Sequence, residues 1–223
     1  MEQKETAVDI ICEKKTGWTI LNLGAGKINP DFMNRIAEKS FVVNVDQSYT
    51  SERSTASDIV SAEYDHEKRE HEDQLRDVHN ISADIFEFLG TYKHKFETII
   101  MSRIAEHMFY DAGEVGQLLS MSRNLLAKGG QMFIIVPNHA RLAKKLLNYD
   151  PDGIATEVNH DLLLLNTEFC NTRCDPHGSI WTTLTAKSYI ENEGNLKITA
   201  YHQDVKWDGR EYMLIVVKKR GDD

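Results

Sequence analysis

Short apolar runs that end on a glycine or an acid alternate with stretches of helical period along most of this chain, which leaves few folds open. Trp18-Thr19-Ile20-Leu21-Asn22-Leu23 runs into Gly24-Ala25-Gly26. Phe41-Val42-Val43-Asn44-Val45 closes on Asp46, and Phe96-Glu97-Thr98-Ile99-Ile100-Met101-Ser102 and Gln131 to Val136 follow. Runs of this length and composition, separated by helical patterns, are βαβ units. They predict an α/β, Rossmann-like sheet, mostly parallel, with helices on both faces.

The connecting segments fit that plan. A helix is expected from about Asp31 to Ser40, with Phe32, Ile36 and Ala37 on one face and Pro30 near its start. A short third strand around His79-Asn80-Ile81 leads to Ala83-Asp84-Ile85. An amphipathic helix from about Ala112 to Ala127 stops at Lys128-Gly129-Gly130, and the fifth strand, Gln131 to Val136, ends at Pro137-Asn138. A helical piece (Leu142 to Leu147), a turn at Asp150-Pro151-Asp152-Gly153 and an apolar segment (Leu162 to Leu165) come next. A helix from about Thr185 ends at Glu193 before Gly194. Two last strands, Leu196 to Val205 and Glu211 to Lys219, are joined by Trp207-Asp208-Gly209-Arg210, and Asp-Gly between alternating runs signals a hairpin.

The 223 residues fit one domain, 1–223, with a charge-dense insertion at about 51–77 and a lid or acceptor segment at about 139–184. His66, His71 and His79 are grouped with the insertion and read as solvated. Three cysteines are not a disulfide framework. Cys170 and Cys174 with His160 and His177 lack the paired spacing of a structural zinc site, so no metal is expected. The start, Met1-Glu2-Gln3-Lys4-Glu5, is charged, and no run approaches the roughly 20 apolar residues that cross a bilayer, so a cytoplasmic location and no membrane partner are expected. The net charge of -9 argues against a sequence-independent grip on nucleic acid.

The turn Asn22-Leu23-Gly24-Ala25-Gly26 lies where a strand gives way to a helix. Glycine there lets a backbone approach a ligand, and a helix start offers free N–H groups to a carboxylate or other anion. Asp46, about 20 residues on and at the tip of the second strand, is placed to accept hydrogen bonds from ribose hydroxyls. Asp84-Ile85 follows the third strand, where an acid can accept from an adenine amino group and an apolar neighbour can pack on the ring. All these positions fall on one edge of a parallel sheet, where such folds bind ligands. Each acid read alone is equally a helix cap or turn residue.

With these residues in hand, the chain resembles the class I S-adenosylmethionine-dependent methyltransferases, in the broad group that acts on small molecules. The resemblance rests on Ile20 to Gly26, Val45-Asp46, Ala83-Asp84-Ile85, Phe96 to Ile100, Glu106-His107 and the run Leu125 to Asn138. It covers residues 18–138 well and the Trp181 to Gly194 region and final hairpin more loosely. It implies a seven-stranded sheet closed by an antiparallel hairpin and S-adenosyl-L-methionine as cofactor. The implied cofactor contacts are Asn22, Gly24, Ala25, Gly26, Asp46, Gln47, Asp84, Ile85 and Ser102. Two positions depart from the pattern: many members carry an acid where Asn22 stands and a third glycine where Ile28 stands. A dinucleotide fingerprint would also need that third glycine, so a nicotinamide-binding oxidoreductase fits less well.

Methyl transfer draws most of its rate from positioning, and a hydroxyl acceptor also needs a general base. Such a base belongs after the fourth or the fifth strand. Glu106-His107 follows the fourth, and in the resembling proteins this pair lies beside the cofactor, which makes His107 the first candidate. His177-Gly178-Ser179-Ile180-Trp181 resembles a stretch that closes the acceptor side, which makes His177 the second and Trp181 a pocket wall or a core residue. Arg103, Glu106, His139, His160 and Trp181 complete the expected acceptor pocket, with Arg103 suited to an acidic acceptor. O-methylation of a small or sugar-like molecule is the expected reaction, with N-methylation next. The motifs of amino-methylating and cytosine-methylating DNA enzymes are absent: the fourth strand ends Met101-Ser102-Arg103-Ile104, and no Pro-Cys pair occurs. A protein methyltransferase and a non-catalytic binding or regulatory module remain the alternatives.

Overall fold

The computed structural model describes residues 6–25, 35–36, 40–47, 77–149, 177–207 and 210–222. Seven strands form one sheet: β1 (Thr19–Leu23), β2 (Phe41–Val45), β3 (Asp77–Ile81), β4 (Phe96–Ser102), β5 (Leu126–Val136), β6 (Leu196–Trp207) and β7 (Arg210–Lys219). Their spatial order is β3-β2-β1-β4-β5-β7-β6. The first five pair in parallel, and β7 enters antiparallel between β5 and β6. The helices are α1 (Ala7–Lys14), α2 (Ile85–Thr91), α3 (Glu114–Leu125), α4 (His139–Tyr149) and α5 (Thr183–Lys187). The expected architecture is therefore present, hairpin included.

Every residue of β1 and β2 is buried, as strands covered on both faces must be. Alternation along the strands splits the core into two layers. Leu21, Val43, Ile99 and Ile134 face one side with α2 and α3, while Ile20, Val42, Ile100 and Phe133 face the other with α1 and Ile36. Phe41, Phe96 and Phe133 have no exposed surface. Each such side chain stabilises the fold by about 1.5–3 kcal/mol through burial alone.

Several boundaries differ from the sequence reading. Helix α1 was hidden in what reads as a charged start; Thr6 Oγ1 accepts from the Asp9 N–H at 3.2 Å and Asp9 returns a bond to the Thr6 N–H at 3.0 Å, a capping box. Asp84 caps α2, which the sequence reading left unassigned, by accepting from the Glu87 N–H at 3.0 Å. Helix α3 stops at Leu125 rather than at about Ala127 because Leu126, fully buried, already pairs with Phe96. Residues 127–130 form a bulge before pairing resumes at Thr98 and Gln131. Helix α4 begins at His139, three residues before the expected Leu142, because Asn138 caps it by accepting from the Arg141 N–H at 3.2 Å. Helix α5 passes into a π-helical turn over Ser188–Glu193 where a continuous α-helix was expected. His79 is not solvated with the insertion: it lies on β3, its ring centroid 5.2 Å from that of Phe41.

Most of the expected helix after β1, most of the 51–77 insertion, and the segment from 150 to 176 with its turn and Leu162 to Leu165 lie outside the described residues. Among the described residues no helix is long and apolar enough to cross a membrane.

Candidate active site

The carboxyl ends of β1, β2 and β3 meet at one edge. Gly24 turns the chain out of β1 at φ 68, and its N–H donates to the Val45 carbonyl at 3.0 Å. A Cβ at Gly24 would stand 3.0 Å from Ile104 Cβ and 3.1 Å from the Ser102 carbonyl, so both backbone angle and space demand glycine there. Asp46 follows β2, its N–H bonded to the Ile81 carbonyl at 3.1 Å. Gln47 donates from Nε2 to Asp84 Oδ2 at 2.9 Å. Gly24, Ala25, Asp46, Gln47 and Asp84 thus form one connected rim, with Ile85 buried behind it and Ser102 nearly buried beside it. Asp84 has both expected characters, a helix cap and a rim acid, and each of its oxygens keeps a second lone pair. Gly26 lies outside the described residues.

Beneath the rim runs a feature the sequence reading passed over. Asn22, Asn44 and Asn80 occupy the fourth place of three adjacent five-residue strands and stand in register. Asn22 Nδ2 donates to Asn44 Oδ1 at 2.9 Å, and Asn44 Nδ2 to Asn80 Oδ1 at 3.0 Å. Asn22 is 4% exposed, and its own Oδ1 is a buried acceptor without a donor among the described residues. A buried carbonyl in that state calls for a further donor. An ammonium or amide N–H would fit, and the ammonium of an amino-acid-bearing cofactor is of that type. The signal in the sequence was three asparagines at the fourth place of three successive strand segments, each followed by an apolar residue.

The second half of the site is built from main chain. After β4, Arg103 turns at φ 57, its N–H bonded to the Ile135 carbonyl at 3.0 Å, with its guanidinium 5.9 Å from the Tyr212 ring centroid. A single 3-10 turn, Ala105–His107, follows. The Glu106 carbonyl accepts from the N–H groups of Gly178 at 2.8 Å and Ser179 at 3.1 Å. Ser179 Oγ donates to the Ala105 carbonyl at 2.9 Å and accepts from Trp181 Nε1 at 3.0 Å. The His139 N–H, at the start of α4, donates to the Trp181 carbonyl at 3.0 Å.

These bonds bring His107, His139 and His177 together. The His177 ring centroid lies 5.1 Å from that of His107 and 5.4 Å from that of His139. Glu106, 1% exposed, joins them: one ligand-type atom each from Glu106, His107 and His177 falls within 4.8 Å of the others, the composition of a two-histidine, one-carboxylate metal set. Burial, then the charges of His107, His139 and Arg103, push His177 from 6.5 down to about 4. Burial also lowers His139. Trp181 has no exposed surface and packs in the core with its indole N–H satisfied, so it supports the site from below. His160, with Cys170 and Cys174, lies outside the described residues.

No family model and no curated protein matches the chain. Solved structures do. An S-adenosylmethionine-dependent methyltransferase from Clostridium acetobutylicum is 15% identical, with 96% of this chain and 91% of that one covered and a TM-score of 0.57. The 1,6-didemethyltoxoflavin-N1-methyltransferase of Burkholderia thailandensis, with 1,6-didemethyltoxoflavin and S-adenosylhomocysteine bound, is 12% identical over 91% of this chain and 71% of its own, at a TM-score of 0.54. An O-methyltransferase family protein from the same organism is 14% identical, with 95% of this chain aligned to 55% of that one, at a TM-score of 0.52. This chain therefore spans about half the length of some of the proteins it is similar to. It has the fold of the class I S-adenosylmethionine-dependent methyltransferases.

Proposed function

We propose that the chain binds S-adenosyl-L-methionine along the rim of β1, β2 and β3 and methylates an oxygen of a small-molecule or sugar-like acceptor held between the loops after β4 and β5. The observation that carries this reading is the rim at adjacent strand ends: the Gly24 turn bonded to the Val45 carbonyl, Asp46 bonded to the Ile81 carbonyl, and Gln47 bonded to Asp84, next to a histidine cluster on the following loops. In this reading Asp46 accepts from ribose hydroxyls, Asp84 with Ile85 meets the adenine, Ser102 flanks the Gly24 turn, and Asn22 Oδ1 accepts from the ammonium. When bound, the cofactor supplies an electrophilic methyl group. Arg103, Glu106, His107, His139 and His177 orient the acceptor, directly or through one another, and most of the acceleration is positional.

Calorimetric titration with S-adenosylmethionine and its demethylated product tests the first half. Binding in the micromolar range is expected, and Asp46→Ala abolishes it. His177→Ala keeps the binding and slows turnover by about 10²-fold or more, the usual worth of a positioned acid–base or donor group. No heat from either nucleoside at sub-millimolar concentration refutes the enzyme reading in favour of a binding module. A protein substrate in place of a small one would appear as methyl transfer to cell-extract polypeptides with none to the small-molecule fraction.

A further inference from the structure

Two of the three histidines, His139 and His177, are linked in a direction that fixes where their hydrogens sit. The Trp181 N–H donates to His139 Nδ1 at 3.0 Å, so that nitrogen carries the lone pair. A neutral imidazole then has its hydrogen on Nε2. His139 Nε2 lies 3.3 Å from His177 Nδ1, and the hydrogen between them belongs to His139. His177 Nδ1 is therefore an acceptor, and its own hydrogen sits on Nε2.

We propose that His139 is a positioning residue that locks His177 as a neutral Nε2–H donor, so that His177 orients the acceptor's oxygen through a hydrogen bond instead of removing its proton. This rests on the reading of His177 as an acceptor-side group. Reversing the relay would put a second hydrogen against the Trp181 N–H or leave His139 an anion, and neither is tolerable in a buried ring. Burial is the largest obstacle to a proton on His177, and its neighbours His107, His139 and the Arg103 guanidinium add to it, with Glu106 the nearby carboxylate among the described residues. The carbonyls of Pro137 and Trp181 beside His139 favour an added proton there, but burial outweighs them. The same lock sets His177 against the metal reading of the Glu106, His107 and His177 set, because a metal at Nε2 needs that nitrogen bare. An acceptor that needs no strong base, such as a carboxylate or a phenolate-like oxygen, is the chemical class that suits a donor here.

Nitrogen-15 NMR of histidine-labelled protein, with two-bond correlations to the ring hydrogens, reads the tautomers directly. His139 and His177 are expected as neutral Nε2–H forms throughout pH 6–8, with roughly one His177 in a hundred protonated at pH 6, from its pKa of about 4. In His139→Gln, which keeps a donor towards His177, that pattern persists. In His139→Phe, His177 is expected to populate both tautomers, and kcat/KM gains a pH dependence with an inflection between pH 5 and 7. Finding His177 as the Nδ1–H form or as imidazolium at pH 7 in the parent protein overturns the lock, and that measurement needs no variant to fold. Stoichiometric zinc(II) that shifts both the His107 and His177 nitrogens overturns it in favour of a metal site. Cofactor titration of the same sample is read separately: absent binding there defeats the proposed function and leaves the tautomer result standing.

Discussion

Replacing Asn44 by leucine removes the middle rung of the asparagine ladder and keeps the side chain's size. Two hydrogen bonds are lost, to Asn22 at 2.9 Å and to Asn80 at 3.0 Å, each contributing about 1 kcal/mol net. Asn22 is 4% exposed, so its amide is left without water or partner at a further cost of about 1–3 kcal/mol, whereas the partly exposed Asn80 can turn to water. Burying a leucine in the amide's place returns about 1–2 kcal/mol. A net loss of about 2 kcal/mol follows, which at roughly 2–3 kcal/mol/M moves a urea midpoint down by about 0.7–1 M. The double variant Asn22→Leu/Asn44→Leu removes donor and acceptor together and should lie at least about 1 kcal/mol closer to the parent than the sum of the singles, because the orphaned partner is gone. Tryptophan fluorescence across a urea series gives all four corners of the cycle. An Asn44→Leu midpoint at or above that of the parent, or a cycle that adds without coupling, would refute the ladder as a stabilising network.

Three further outcomes follow from the acceptor side and from titration. Gly178→Ala places a Cβ 2.8 Å from the Met108 backbone, which is held in place by the adjoining main-chain bonds; a loss of about 1–3 kcal/mol and of turnover, with cofactor affinity unchanged, is expected by urea melts and calorimetry. Because the folded protein holds His177 at about 4 against an unfolded 6.5, the unfolded chain binds more protons between those values, so stability falls as pH drops from 6.5 to 4. After discounting for partial exposure the loss is about 1–3 kcal/mol, and His177→Gln should flatten that limb of a plot of urea midpoint against pH. Asp9, lowered to about 2 first by its Thr6 bond and then by Arg35, contributes stability that is lost only as pH falls from 3.8 towards 2, so Asp9→Asn should leave the upper limb untouched.

Much of the fold was legible because burial on both faces writes itself into composition: Phe41 to Val45 and Phe96 to Ser102 match their observed strands end to end. Some boundaries that failed were set by local caps, as at Thr6 and Asn138, and one by a partner distant in sequence. Leu126 leaves helix for strand because Phe96 is waiting for it, which no local pattern around Lys128-Gly129-Gly130 can encode. The rim was legible through spacing, since glycine and acid recur at successive strand ends. The histidine cluster was legible in its members and not in its wiring. His107, His139 and His177 were each singled out, but the contact between His139 and His177 joins positions 38 residues apart and depends on a backbone amide of Trp181. The resemblance favours an acid at position 22, yet an amide can donate along the ladder where a carboxylate cannot, which gives Asn22 a physical reason.

The two halves of the site are held by different forces, and that division bears on how such a protein can change. On the proposed reading the rim holds the cofactor through side chains, Asp46, Gln47, Asp84 and Asn22, whose replacement would alter a contact directly. The acceptor side is fixed by main-chain bonds between three separate segments: the turn at Ala105–His107, the stretch from Gly178 to Trp181, and the start of α4. Backbone bonds survive most substitutions, so side chains on these segments can vary without displacing the platform. Ile180, 58% exposed between Ser179 and Trp181, and Leu184, 78% exposed on α5, are free to change at little structural cost. The positions that cannot change are those where a side chain enters the main-chain network: Gly178 for want of space, Ser179 because it satisfies the Trp181 indole, and His139 because it accepts the Trp181 amide. An acceptor preference can therefore drift through residues such as Ile180 while His177 keeps its place.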